Sequence, residues 1–165
     1  MKLSYIIVED NDLDRLSLKV LLKNYADFEC AGEYTSAEEA LKPIKENKPQ
    51  IIFLDVDMGA MSGITLRSML PEIPVCIFIT SHPEYAIDGF EQNALDFLTK
   101  PLKKERFEQC ILRAKQYLLI KEKASLLDEN IGADSIFIKE GHEKIKINTH
   151  EIYLCHQKLL FKCLV

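Results

Sequence analysis

An α/β fold, a five-stranded parallel sheet doubly wound by helices on both faces, is predicted by two regularities in the sequence. Apolar runs ending in polar residues recur at residues 5–10 (YIIVED), 51–57 (IIFLDVD), 75–80 (VCIFIT) and 95–100 (LDFLTK). They are continuous rather than alternating, as strands covered on both faces are. Between them lie segments whose apolar residues recur at helical spacing, and strands alternating with helices indicate parallel pairing through right-handed crossovers.

The elements follow in order. After the first strand, Asn11 or Asp12 can cap a helix with Leu13, Leu16, Val20 and Leu21 at helical spacing, running to about Tyr25. Residues 28–34 read as a short second strand. Ser36 and Glu39 have capping-box spacing, and Ala37, Ala40, Leu41 and Ile44 form the buried stripe of a second helix that Pro49 closes. The third strand then runs into Asp55, and the chain turns through Gly59, Ser62 and Gly63. Ser62-Gly63 opens a third helix over 64–70, stopped by Pro71 and Pro74 ahead of the fourth strand. Pro83 suits the first turn of a fourth helix to about Phe90, and the fifth strand is 94–98. Lys100-Pro101 leads into a long last helix with Phe107, Ile111, Ala114 and Leu118 inward, its periodicity fading into KEKASLLDEN.

Composition bounds the function. With 165 residues, 47% hydrophobic and 28% charged, the chain has the content of a soluble globular protein and little room for two complete domains. Its apolar runs are too short to span a bilayer, and MKLSYIIVED reaches acidic residues before a signal-peptide core could form, so no membrane association and a cytoplasmic location are expected. Cys30, Cys76, Cys110, Cys155 and Cys163 include no C-x-x-C pair and read as reduced, mostly buried thiols. Residues 1–134 carry a net charge of −7 and residues 135–165 one of +2. An acidic body with a mildly basic tail hints at two modules.

The strand ends carry the chemistry. In open α/β sheets ligands collect outside the carboxyl ends of the strands, and there Glu9, Asp10, Asp55, Asp57, Thr80 and Lys100 converge on one rim. Several acids at one edge repel one another unless a cation lies among them. Glu9, Asp10 and Asp55 are hard oxygen donors of the kind Mg²⁺ takes. An aspartate carboxylate can itself be a nucleophile that forms an acyl phosphate. Lys100 supplies a fixed positive charge, and the Thr80 hydroxyl can donate to a phosphoryl oxygen. VEDND follows the first strand in place of any G-x-G-x-x-G, which disfavours a dinucleotide or nucleoside triphosphate site.

These residues carry a resemblance: residues 1–120 are similar to the receiver domain of bacterial two-component response regulators. Glu9-Asp10 follows strand one, Asp55 ends strand three, Thr80 ends strand four, and Lys100-Pro101 follows strand five. The resemblance implies a CheY-like, flavodoxin-like sheet of order 2-1-3-4-5 and phosphotransfer from a sensor histidine kinase to Asp55, with Thr80 and Lys100 assisting. It implies Mg²⁺ among Glu9, Asp10, Asp55 and Asp57, the last through its carbonyl. It also implies a switch made by Thr80 and the aromatic Phe97, a cis Lys100-Pro101 bond, and a homodimer through the face of helix four, strand five and helix five. The protein would catalyse its own phosphorylation and dephosphorylation without being an enzyme in the ordinary sense. Gly59 stands where receivers often have proline, and Asp57 adds a carboxylate near the site mouth.

Residues 121–134 read as a linker or helix extension. Beyond them SIFIKEGHEKIKINTHEIYL resembles the opening strands of a LytTR-type DNA-binding domain, and TSHPEYAIDGF and GFEQNALDFLTKPLKKERF resemble receivers of that LytR/AlgR-like subfamily. Alternation at Ile136, Ile138, Ile145 and Ile147 predicts an antiparallel hairpin. Residues 135–165 would be an incomplete part of that domain, ending in CHQKLLFKCLV, so DNA binding is expected of a full-length protein rather than of this stretch alone. Two other readings stand beside this one. LDVDMG echoes the nucleophile motif of haloacid-dehalogenase-type phosphatases, but that motif belongs near the N-terminus with its metal-binding acid pair after the lysine, whereas here the pair precedes the nucleophile. A stand-alone receiver-like module that never takes phosphate is the third, against which the complete acidic set argues.

Overall fold

The computed structural model describes residues 2–82, 94–131, 135–140 and 143–148, with side chains for 2–82 and 94–125. Five parallel strands, β1 (Leu3–Val8), β2 (Phe28–Tyr34), β3 (Ile51–Asp55), β4 (Val75–Thr80) and β5 (Asp96–Thr99), form one sheet in the order β2-β1-β3-β4-β5. This is the predicted architecture and order. The connecting helices are α1 (Asp12–Leu22), α2 (Ala37–Asn47) and α3 (Gly63–Ser68), and α4 (Lys104–Ile131) follows β5. The helix expected over 83–90 lies outside the described residues, so α4 is the helix that the sequence counts as its fifth.

Strand alternation divides the core between the two faces. Tyr5 and Ile7 of β1, with Phe53 of β3 and Ile77 of β4, pack under α1 and α4 beside Leu18, Leu22, Phe107 and Ile111. Ile6 and Val8, with Ile52, Leu54, Cys76 and Phe78, pack under α2 and α3 beside Ala40, Ile44 and Leu66. The four α4 residues expected inward, Phe107, Ile111, Ala114 and Leu118, are all buried. Cys76 and Cys110 are buried free thiols, whereas Cys30 is exposed.

The face of α1 differs from the expected one. Leu13, Leu16 and Val20 are 74%, 55% and 54% exposed, while Leu18 and Leu22 are buried. The segment is rich in leucine all round, so its period does not select a face, and docking on β1 and β3 does. Asn11 is the cap, its Oδ1 accepting from the N–H groups of Leu13 at 2.9 Å and Asp14 at 3.2 Å. Ser36 caps α2 through the Glu39 N–H at 3.2 Å, but Glu39 turns its own carboxylate back to Thr35. Pro43 sits inside α2, and Lys48, at φ 45°, ends that helix one residue before Pro49.

The chain divides into two compact units, Met1–Leu119 and Ile120–Val165. In the second, β6 (Ser135–Glu140) and β7 (Glu143–Asn148) pair antiparallel, with Ile136 opposite Ile147 and Ile138 opposite Ile145. That is the hairpin the alternation predicts. Among the described residues no helix is long and apolar enough to cross a membrane.

The turn after β3 brings α3 back onto the strand end. Gly63 N–H donates to Val56 O at 2.9 Å, and a Cβ built on Gly63 would stand 1.9 Å from Asp55 O. Gly59, at φ +73°, has open space around it in a conformation that no proline ring can take. Gly63→Ala should therefore destabilise the domain by about 3 kcal/mol or more, at or beyond the upper end of overpacking costs, and Gly59→Ala by about 1–2 kcal/mol for the left-handed backbone alone. Urea unfolding of both variants checks the order, which reverses if Gly63 is merely a flexible turn residue.

Candidate functional site

The sheet register brings the strand ends level. Val8 lies opposite Leu54, Asp55 opposite Ile79, and Thr80 opposite Thr99, so Glu9, Asp55, Thr80 and Lys100 leave the sheet at one rim. Glu9 N–H donates to Tyr34 O at 3.0 Å and Lys100 N–H to Thr80 O at 2.8 Å, extending the pairing one step past the strands. The Lys100-Pro101 bond is cis, as the resemblance implies.

Carboxylate oxygens of Glu9, Asp10 and Asp55 lie within 4.8 Å of one another. Glu9 and Asp55 are 3% and 5% exposed, and Asp10 faces solvent. Asp57 is not part of that carboxylate group: it is exposed, and its contribution is a backbone N–H donated to Asp55 Oδ1 at 3.3 Å. Lys100 Nζ stands among the acids, 2.8 Å from Asp55 Oδ2, 2.9 Å from Glu9 Oε1 and 3.0 Å from Asp14 Oδ2. Thr80 is fully buried, and its Oγ1 accepts from His82 N–H at 3.1 Å.

The electrostatics follow from this crowding. Burial pulls the Lys100 ammonium toward its neutral form, but hydrogen bonds to Asp55, Glu9 and Asp14 outweigh it and hold the group charged above its usual range. Burial pushes the Glu9 carboxyl up to about 7, against the pull of its hydrogen bond to Lys100 and with a further push from the Asp55 charge.

Phe97 is half-buried on β5, its ring 5.9 Å from that of Phe78. The Asp96 carboxylate accepts from Phe97 N–H at 2.8 Å, from both terminal nitrogens of Arg106 (2.9 Å at Nη1), and from Arg113 at 3.4 Å, while Arg106 Nη2 also donates to Phe97 O at 3.3 Å. The backbone of Phe97 is thus clamped to α4. Three contributors escaped the reading of the sequence: Asp14, Arg15, which donates to Glu9 O at 2.7 Å, and the Asp96–Arg106 fork. Only Asp96 left a signal, as an acid inside an apolar run.

The model of the response regulator receiver domain matches residues 5–112. This chain belongs to that family. The match displaces the dehalogenase reading, and the chain is the receiver of a two-component response regulator related to transcriptional regulators. It is 37% identical to the transcriptional regulatory protein BtsR of Escherichia coli K12 over 142 residues, 85% of this chain and 59% of that protein. With the sensory transduction protein LytT of Bacillus anthracis the identity is 34% over 117 residues, 69% and 48% of the two chains. The chain therefore spans well under two thirds of these curated relatives. Among solved structures, the response regulatory domain of mrkE from Klebsiella pneumoniae superposes with a TM-score of 0.65 at 28% identity, covering 73% of this chain and 99% of that one.

The raised Glu9 value has a measurable consequence. Between its unfolded value of 4.5 and its folded value of about 7, the folded receiver binds the Glu9 proton more tightly than the unfolded chain does. Stability from this group is complete below pH 4.5 and is lost as the pH rises towards 7. In chelator-treated protein, Glu9→Gln should remove that slope, and the difference between wild-type and variant unfolding profiles should fall with pH across this window. A flat difference would mean that Glu9 is ionised throughout.

Proposed function

We propose that the receiver takes a phosphoryl group on Asp55 from a sensor histidine kinase and uses the change to control transcription. The observation that carries the reading is the placing of Lys100 Nζ 2.8 Å from Asp55 Oδ2 at a rim where the carboxylate oxygens of Glu9, Asp10 and Asp55 fall within 4.8 Å of one another. The donor set fits Mg²⁺: all are hard oxygens, one of the acids is exposed, and a single lysine does not balance three acids. Asp10 and Asp55, with Glu9 and the Asp57 carbonyl, would hold the ion, which when bound supplies positive charge to a transferring phosphoryl group.

The chain's own groups supply the rest. An Asp55 oxygen attacks phosphorus, the P–N bond to the donor histidine breaks, and the imidazole leaves with the electron pair, giving an acyl phosphate that water later hydrolyses. Lys100 remains charged at all working pH values and meets the charge that builds on the phosphoryl oxygens. The buried Thr80 hydroxyl donates to one of those oxygens by moving towards them. Because Lys100 N–H is bonded to Thr80 O and the Phe97 backbone to Arg106, a shift at the rim reaches β5 and α4 through contiguous bonds. The output surface is the face of the fourth and fifth predicted helices with β5, where phosphorylation favours a homodimer.

The division is a receiver over 1–120, a linker or helix extension over 121–134, and from 135 the opening strands of a LytTR-type DNA-binding region. The description of BtsR as a transcriptional regulator and the β6-β7 hairpin support it. Control of transcription, in the cytoplasm, would require a complete DNA-binding region.

Acetyl phosphate with Mg²⁺ should phosphorylate the protein, and Asp55→Asn should abolish this because an amide is no nucleophile. Intact-mass measurement decides, and undiminished modification of the variant refutes the assignment. In the same preparation Asp10→Asn should weaken Mg²⁺ by roughly tenfold or more, since even outer-shell partners of a metal are worth that much.

Thr80→Ala should leave the phosphorylated mass peak intact while reducing phosphate-dependent association, because phosphate can shift the equilibrium only through groups that bind it better in one state. Sedimentation showing wild-type association would end the coupling argument.

A further inference from the structure

The reading of Asp55 as phosphoacceptor, on which this inference rests, gives Asp14 no task. Yet Asp14 makes one of the three short contacts of Lys100 Nζ, at 3.0 Å beside 2.9 Å to Glu9 and 2.8 Å to Asp55. An ammonium has three N–H donors, so all are taken. An anion arriving at Asp55 can engage Lys100 only by displacing or weakening one of these bonds.

The three partners differ in how readily they let go. The side chains of Glu9 and Asp55 are 4% and 6% exposed, and stripping the cation from either leaves a buried, uncompensated charge. Asp14 is 40% exposed, so water can replace its bond. It is also held beside the site: it lies in the first turn of α1, whose end Asn11 caps through the Asp14 N–H itself. Its negative charge therefore stays close to any anion that Lys100 receives and opposes that anion's arrival.

We propose that Asp14 is a positioning residue that competes with the phosphoryl group for the Lys100 ammonium and so sets how tightly the receiver holds a phosphoryl-like anion. Competition and repulsion act in the same direction. Removing the charge should therefore strengthen anion binding, the opposite of what loss of a structural contact would do.

The test measures beryllofluoride affinity by calorimetry at saturating Mg²⁺. Asp14→Asn should bind about two- to fivefold more tightly at low salt, the range that exposed ion pairs span, with the gain shrinking as salt is raised. Asp14→Glu, which keeps the charge, should stay near wild type. So should Asp12→Asn, because Asp12 pairs with Arg15 and not with Lys100. Unchanged or weakened binding by Asp14→Asn, or an equal gain in Asp12→Asn, would overturn the proposal. Asp55→Asn separates the two levels. If that variant binds beryllofluoride like wild type, the phosphoacceptor reading fails and this inference with it. If it is silent while Asp14→Asn shows no gain, this inference alone fails.

Discussion

Two buried carboxylates at one sheet edge repel each other, and the Lys100 ammonium is what allows Glu9 and Asp55 to stay there. Much of the structure around the rim serves that contact. β1 and β3 must end level for the two acids to face one lysine, and the register of Val8 with Leu54 sees to it. β5 must lie beside β4 for its end to deliver the lysine, and the bond from Lys100 N–H to Thr80 O carries the pairing past the last strand residue. Arg15 holds Glu9 from the backbone side, through its carbonyl. The glycine at 63 has a related origin, since only a residue without Cβ lets α3 begin against the carbonyl of Asp55.

A second buried charge organises the other end of β5. Asp96 is 4% exposed and is satisfied by Arg106, Arg113 and the Phe97 N–H. With Arg106 also on Phe97 O, the strand is tied to α4 through the Asp96 carboxylate and the Phe97 carbonyl together. Between this clamp and the Lys100 contact lie only Leu98 and Thr99. β5 is therefore a short rod with a charged fastening at each end, and in the proposed function it is the piece through which a change at Asp55 would reach α4. The Phe97 ring itself is half-buried and lies beside Phe78.

Legibility in the sequence followed the length scale of the cause. β4 has the bounds that its apolar run predicts, and β2, although half exposed and interrupted by two glutamates, has those read for it. The inward residues of α4 are those of its period, and the hairpin pairs its isoleucines as their alternation requires. In these cases the cause is local, because a strand or helix shows its buried face in its own residue pattern. The rim residues were legible for a related reason: each ends an apolar run, and parallel strands align such ends. α1 marks the limit, for where leucine lies on every side the period says that a helix forms but not which way it faces.

The sequence by itself therefore determined the element order, the parallel sheet, the rim on which Glu9, Asp10, Asp55, Thr80 and Lys100 gather, and the membership in the receiver family that those motifs carry. The tertiary structure alone decided which residues share a charge. Asp14 meets Lys100, Arg106 meets Asp96, and Asp57 stays outside the carboxylate group although it lies two residues from Asp55. Such pairings depend on strand register and helix rotation to within an ångström or two, distances over which the Coulomb and hydrogen-bond energies of a half-buried site change most steeply. No local pattern of residues encodes them.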